Sequence, residues 1–201
     1  SHYYDQRTLL AALEKRWADR FFNRERLDRL HQNVLVGGRH LALPIDEYDR
    51  LDTWGKANDA WIRVAQEVGA QAITAALDRA GLEPQEVGAF FFTTVTGVAT
   101  PSIDARLINR LDMSPQVKRI PMFGLGCLAG AAGIARAADY VRAFPDEVAL
   151  LLSVELCSLT LQGEDLSVPN LIASGLFGDG AAAVLIAGAN RKLAGPEVVA
   201  T

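Results

Sequence analysis

Cysteine is scarce in this chain, with only Cys127 and Cys157 among 201 residues. Two thiols build neither a disulfide framework nor a four-ligand zinc site, and their apolar surroundings suit a reducing compartment. Histidine is nearly as rare: His2, His31 and His40 all precede the first core strand expected from the pattern. No apolar run approaches the roughly 20 residues that span a bilayer, and the opening residues lack the form of a signal peptide. A basic excess is missing too, since 20 Lys and Arg stand against 24 Asp and Glu. Without a basic stripe interleaved with aromatics, nucleic acid is excluded as a partner. Paired carboxylates, clustered metal ligands and a P-loop are also absent. The expectation is a soluble, cytoplasmic protein that binds no membrane, no metal and no tightly held cofactor.

What is present is an apolar, alanine- and glycine-rich chain, half of it hydrophobic, long enough to bury a substantial core. Leu9, Leu10, Leu13 and Trp17 recur at helical spacing, which predicts helix from Tyr4 to Asn33, broken near Phe22 and Asn23. The stretch "GGRHLALPIDEYDRLDTWG" reads as irregular. Lys56 to Ala80 is helical, with Trp61, Val64, Ala65, Val68, Ala72 and Ile73 on one side and Gly81 as the stop. "VGAFFFTTV" has the length and composition of a strand buried on both faces. "TGVATPS" is a turn in which Ser102 can cap the helix "IDARLINRL". "VKRIPMF", "EVALLLSVEL" and the end of "SGLFGDGAAAVLIAG" are further strands, and "PEVVAT" reads as one more, cut short. Strands alternating with helices predict an α/β domain with a mixed or parallel sheet. One domain, residues 1–201, is expected.

In "RIPMFGLGCLAGAAGIARAADYV" a strand-like run breaks at Gly124 and Gly126, and a small-residue helix follows. A cysteine there meets the positive end of the helix dipole, which favours a thiolate. The glycines permit a tight turn and close approach by a ligand. Cys127 is therefore a candidate nucleophile; a structural cysteine in a Gly/Ala-rich helix fits the same pattern. A cysteine nucleophile needs a base, most often histidine. His31 and His40 read as surface or interface residues, so the acid–base apparatus is missing. The basic segment "RFFNRERLDRLHQN" also contains acidic residues and reads as a solvated helix face.

"FGLGCLAGAAG", preceded by "TTVTGVATPSIDARLINRL" and followed by "LFGDGAAAVLI", resembles the N-terminal half of a type III polyketide synthase, of the chalcone and stilbene synthase family. "GLGC" in place of the plant-type "QQGC" leans to the bacterial branch. The resemblance implies a thiolase fold: an N-terminal αβα half with a mixed, mostly parallel sheet and a buried helix bearing the nucleophile. It also implies that an opening strand before Ser1 and a C-terminal half, the source of a catalytic histidine and asparagine, lie outside this chain. The expected partners are acyl-CoA and malonyl-CoA, a second copy in a homodimer, and that C-terminal half.

Carried over by position, the resemblance makes Cys127 the residue that accepts a starter acyl group. Phe177 becomes the aromatic wall that orients malonyl-CoA and favours its decarboxylation; on its own it reads rather as a core aromatic. Arg26 and Arg29 match positions that grip coenzyme A phosphates, while Asn33 replaces a third basic residue. Thr96, Thr100, Cys157 and Thr160 match positions that line the acyl cavity, although Cys157 also reads as a packed strand cysteine. The modest size of Thr96, Thr100 and Cys157 leads to an expectation of aliphatic starters and pyrone or resorcinol products. The rival is a naphthalene-type product made from malonyl-CoA alone. Two other readings stay open: a ketoacyl synthase III-like condensing enzyme, and a non-catalytic dimerisation module.

Overall fold

The computed structural model describes residues 2–18 and 23–201. In chain order its elements are β1 (His2–Asp5), α1 (Gln6–Arg16), α2 (Arg24–Asn33), β2 (Gly38–Leu41), α3 (Trp54–Ala80) and β3 (Val87–Thr94). They continue with α4 (Ile103–Arg110), β4 (Lys118–Phe123), α5 (Ala129–Ala143), β5 (Val148–Leu156), α6 (Val168–Leu176) and β6 (Asp179–Ala187). The chain divides into two compact units: the N-terminal stretch up to Trp61 with Leu156–Gly180, and Ile62–Glu155 with Ala181–Thr201.

In the first unit the expected helix from Tyr4 does not begin there. His2–Asp5 is a strand, antiparallel to Gly38–Leu41, with Tyr3 opposite His40. The helix starts at Gln6 because the Asp5 carboxylate caps it, accepting the Thr8 N–H at 2.8 Å. Asn23 caps α2 in the same way, accepting the Arg26 N–H at 3.0 Å. The break expected at Phe22 lies outside the described residues. The stretch read as irregular contains β2 and a 3-10 turn, Ile45–Arg50. Helix α6 was not expected; Ser167 stands at its N-cap position with a proline in the first turn. Leu13, Trp17, Leu27 and Leu171 bury one another and hold α1, α2 and α6 together.

The second unit is built on a four-stranded sheet in the order β4-β3-β5-β6. Strand β3 is parallel to both β4 and β5. Its Ala89 and Phe91 face a cluster with Ala137 and Val141 of α5, while Phe90 and Phe92 are buried on the opposite face. Both faces are thus apolar, as the uninterrupted run predicts. Strand β4 is an edge strand, which is why Pro121 is tolerated within it. Helix α3 approaches the other face at Gly69, where a β-carbon would come within 3.1 Å of Leu152 and 3.2 Å of Leu107. Gly81 ends α3 at φ +64°, with Leu82 N–H bonded to Leu77 and Gly81 N–H to Asp78. Residues 189–201 contain no strand, contrary to the reading of "PEVVAT". Ser102 stands at the N-cap of α4 but does not cap it; its hydroxyl donates to the buried Asp104 carboxylate instead.

Helix α5 buries Ala129, Gly133, Ala137 and Val141, one residue per turn. A β-carbon at Gly133 would lie 2.6 Å from Leu151 Cδ1, so glycine sets the distance between α5 and β5. Replacing Gly133 by Val should destabilise the chain by about 1–3 kcal/mol through overpacking. Ala131→Val, on the exposed side of the same helix, should cost only about 0.5 kcal/mol. Urea unfolding of the two variants measures the difference.

Candidate active site

Because β4, β3 and β5 are parallel, their carboxyl ends lie along one edge, with Thr94 opposite Phe123 and Thr93 opposite Ser153. In sheets of this kind ligands bind beyond those ends. Thr96 and Thr100 follow β3, Cys127 follows β4, and Glu155 is the next-to-last residue of β5. Gly124 and Gly126 turn the chain out of β4 with φ of +88° and +55°, angles that disfavour any side chain. Cys127 then sits in a 3-10 turn, Gly126–Leu128, that runs straight into α5. Helix α5 buries its inner face and leaves Cys127 exposed at its start. No side chain caps α5 and no acidic residue occupies its first turn. Phe123 and Leu128, each 64% exposed, flank the thiol in sequence.

Glu155 organises the loop after β3. Its carboxylate accepts the Val95 N–H at 3.1 and 3.2 Å and the Thr96 hydroxyl at 2.8 Å. Thr96 is therefore held half-buried, while Thr100, further along the loop, is exposed. The loop's far end is tied down by Asp104, whose carboxylate receives Arg119 Nε at 2.6 Å.

The remaining candidates lie in the first unit. Arg26 and Arg29 are exposed one turn apart on α2, and Asn33 is exposed at that helix's end. Cys157 is not within a strand, as the sequence suggested. It opens a 3-10 turn, Cys157–Thr160, and is half-buried. Thr160 closes the turn by donating its hydroxyl to the Cys157 carbonyl at 2.8 Å. Phe177 is no core aromatic: it follows α6, 45% exposed, and its carbonyl accepts Arg39 Nη1 at 2.8 Å. Around these residues runs a polar group of half-buried Tyr48, Ser158 and Asp179 with buried Arg39. Burial raises the Asp179 carboxyl pKa, against the pull of Ser158, Ala42 and Arg39. Burial also lowers the Arg39 pKa and pushes the Tyr48 phenol up to about 12.

His31 is buried within the chain, 1% exposed, and not the surface or interface residue the sequence suggested. Ser174 donates its hydroxyl to Leu171 O at 2.8 Å, so it accepts from His31 Nε2–H at 3.3 Å. Nδ1 has no hydrogen-bond partner among the described residues. Gly175 permits the close approach, since a β-carbon there would lie 3.0 Å from the ring. Burial, and then the Arg39 charge, lower the His31 pKa. Among the described residues no cluster suited to a metal ion occurs, and no helix is long and apolar enough to cross a membrane.

Residues 14–190 match the family model of the chalcone and stilbene synthases, N-terminal domain. The chain belongs to the chalcone and stilbene synthase family. It is 49% identical over 203 residues to a 1,3,6,8-tetrahydroxynaphthalene synthase of Streptomyces peucetius, covering 100% of this chain and 54% of that protein. It is 30% identical to an alpha-pyrone synthesis polyketide synthase-like protein of Mycobacterium tuberculosis, covering 81% of this chain and 43% of the relative. The crystal structure of 1,3,6,8-tetrahydroxynaphthalene synthase from Streptomyces coelicolor superposes with a TM-score of 0.87 at 34% identity, covering 94% of this chain and 54% of that one. The chain thus spans about half the length of the relatives it matches. The sheet with α5 on one face and α3 and α4 on the other is the αβα arrangement of the thiolase fold that the resemblance implied.

For this chalcone and stilbene synthase domain, sequence reasoning missed Glu155, Arg39 and Asp179. Glu155 was visible as the one charge in the otherwise apolar run "VALLLSVEL". Asp179 stands inside "FGDG", two residues after the phenylalanine that carries the resemblance. Arg39 gave no signal.

Iodoacetamide at near-neutral pH should alkylate exposed Cys127 before half-buried Cys157, and peptide mass mapping reads the order. His31 also makes stability depend on pH. Its folded pKa lies below the ordinary 6.5, so the unfolded chain takes up the proton first. The contribution is complete above that value and is lost as pH falls from there through the lower folded pKa. Asp179 has the opposite sign: its contribution is lost as pH rises through its raised folded pKa. Thermal unfolding should therefore show Tm rising with pH up to the ordinary histidine value of 6.5, and His31→Gln should flatten the rise.

Proposed function

We propose that this chain is the N-terminal half of a bacterial-type type III polyketide synthase that extends an acyl chain by decarboxylative condensation with malonyl-CoA. The observation that carries the reading is Cys127, exposed in the turn between β4 and α5 within a family-matched domain. The Cys127 sulfur attacks the carbonyl of a CoA thioester; a new thioester forms and CoA leaves as the thiol. Malonyl-CoA then loses CO2, and its enolate carbon attacks the Cys127 thioester, returning the sulfur as thiolate. Phe177, exposed beside the chain's tight turn into β6, gives the malonyl carboxylate an apolar wall; desolvation there favours neutral CO2. Arg26 and Arg29 take the CoA phosphates, a role suited to the guanidinium fork. Thr96, Thr100, Cys157 and Thr160 line the growing chain's cavity. A histidine and an asparagine from the second half hold the enolate and thioester oxygens. The assembly is a cytoplasmic homodimer with CoA thioesters as substrates and no tightly bound cofactor.

The 49% identity to a tetrahydroxynaphthalene synthase supports a naphthalene-type product from malonyl-CoA alone. The alpha-pyrone relative, together with the small side chains Thr96, Thr100 and Cys157, supports aliphatic starters as the second reading. Incubating the complete synthase with malonyl-CoA, with and without acyl-CoAs of graded length, and reading products by mass spectrometry decides between them. Cys127→Ala should abolish product in either case. Absence of both product and malonyl-CoA decarboxylation by the complete wild-type protein would sink the reading.

The 201-residue chain by itself should be alkylated at Cys127 but should not turn over. Losing one oxyanion donor typically costs about 10²–10³ in rate, and two are expected outside it. Release of CO2 from malonyl-CoA by the chain alone, abolished by Cys127→Ala, would show that it carries its own oxyanion hole.

A further inference from the structure

Asp179 is a half-buried carboxylate with no part in the proposed chemistry, and it stands between two groups that have one. Its Oδ1 accepts the Ser158 N–H at 2.8 Å. Its Oδ2 accepts the Ala42 N–H at 2.5 Å and the Ser158 hydroxyl. Ser158 is the second residue of the turn that begins at Cys157. Having given its proton to Asp179, the Ser158 oxygen can only accept from Tyr48, 2.5 Å away. The Tyr48 oxygen in turn accepts the Leu43 N–H at 3.3 Å. The donors therefore run in one direction, from Leu43 through Tyr48 and Ser158, and end on the one group that only accepts. The Arg39 charge pulls the Asp179 pKa down without an ion pair between them, and Arg39 Nη1 holds the Phe177 carbonyl at 2.8 Å. The fit is close, because a β-carbon at Gly178 would lie 3.2 Å from Arg39 Cβ.

We propose that Asp179 is a positioning residue of the synthase: its carboxylate fastens the Cys157–Thr160 turn to the chain after β2 and, with Arg39, fixes where Phe177 stands. The proposal rests on the roles given above to Cys157 and Phe177. One ionised group thereby sets the cavity turn and the aromatic wall together. Asparagine has the same shape but puts an NH2 group where Ala42 or Ser158 already presents an N–H. Two donors then face each other, and the run of hydroxyl protons loses its terminus.

The test has two arms. In the chain itself, Asp179→Asn should raise the rate of Cys157 alkylation by iodoacetamide about tenfold and leave the rate at Cys127, in the other unit, unchanged. In the complete synthase, the same substitution should lower kcat for malonyl-CoA decarboxylation and extension by about 10- to 100-fold. Acyl loading of Cys127, read by intact mass, should persist. Ser158→Ala, which keeps the backbone N–H, should fall between wild type and Asp179→Asn. Leu171→Ala, a core truncation in the same unit, serves as the control for general destabilisation. The proposal is overturned if Cys157 labelling does not change, or if loading and extension fall together in proportion to Tm as they do for Leu171→Ala. Should the wild-type synthase fail to decarboxylate malonyl-CoA, the functional reading fails by itself, and Cys157 labelling still decides whether Asp179 fastens the turn.

Discussion

Strand β3 is hydrogen-bonded on both sides and covered on both faces, and the arrangement of the second unit depends on that pairing. Parallel neighbours on either side force the chain to return each time through a crossover on the sheet's face. The crossovers are α4 between β3 and β4, and α5 between β3's two neighbours β4 and β5. The same constraint collects three carboxyl ends at one edge. Thr96, Cys127 and Glu155 are far apart in sequence and share that edge only because the strands run in one direction. The glycines at 124 and 126 and the small inner face of α5 serve this geometry: the first turn the chain tightly out of β4, and Gly133 lets the helix settle on Leu151.

Carboxylates do the corresponding work in the loops. Glu155 collects the Val95 N–H and the Thr96 hydroxyl. Asp104 collects Ser102 and Arg119, and Asp179 collects Ala42 and Ser158. Glu155 and Asp179 each receive a backbone N–H from an irregular segment, whereas Asp104 receives a hydroxyl and the guanidinium of a strand residue. Such groups are costly to desolvate and lose much if one partner is removed. Their contribution here is to hold a loop in one place. Asp104 is the most buried of the three; at half-buried Asp179, burial raises the carboxyl pKa as it does that of the Tyr48 phenol.

Much of this architecture was legible in the residues. The run Val87–Thr94, apolar without alternation, announced a strand covered on both faces, and Gly81 and Asp146 bounded the neighbouring helices within a residue or two. Cys127 between a strand and a small-residue helix was recognisable because two glycines break the run at that point. What local pattern could not supply were features that depend on distant partners. His2–Asp5 has no strand signal of its own and becomes one only against Gly38–Leu41. Helix α6 was hidden because its apolar residues merge with the glycine-rich segment after it. Cys157 seemed to continue β5, yet Ser158 is drawn to Asp179, 21 residues later, and the chain turns instead.

The sequence by itself determined the element types with strong periodicity, the motifs that carry the family resemblance, and the glycine turn that places Cys127 at the start of α5. Each of those follows from spacing along the chain or from local backbone demands, such as glycine where φ is positive. Only the tertiary structure decided which side chains are buried beside which. His31 reads as a polar helix residue until Ser174 and Gly175 close over it. Phe177 reads as core until its carbonyl, and not its ring, proves to be the part that is held. Burial and hydrogen bonding across more than a hundred residues are properties of the folded chain, because desolvation and pairing are set by neighbours in space and leave no trace in local composition.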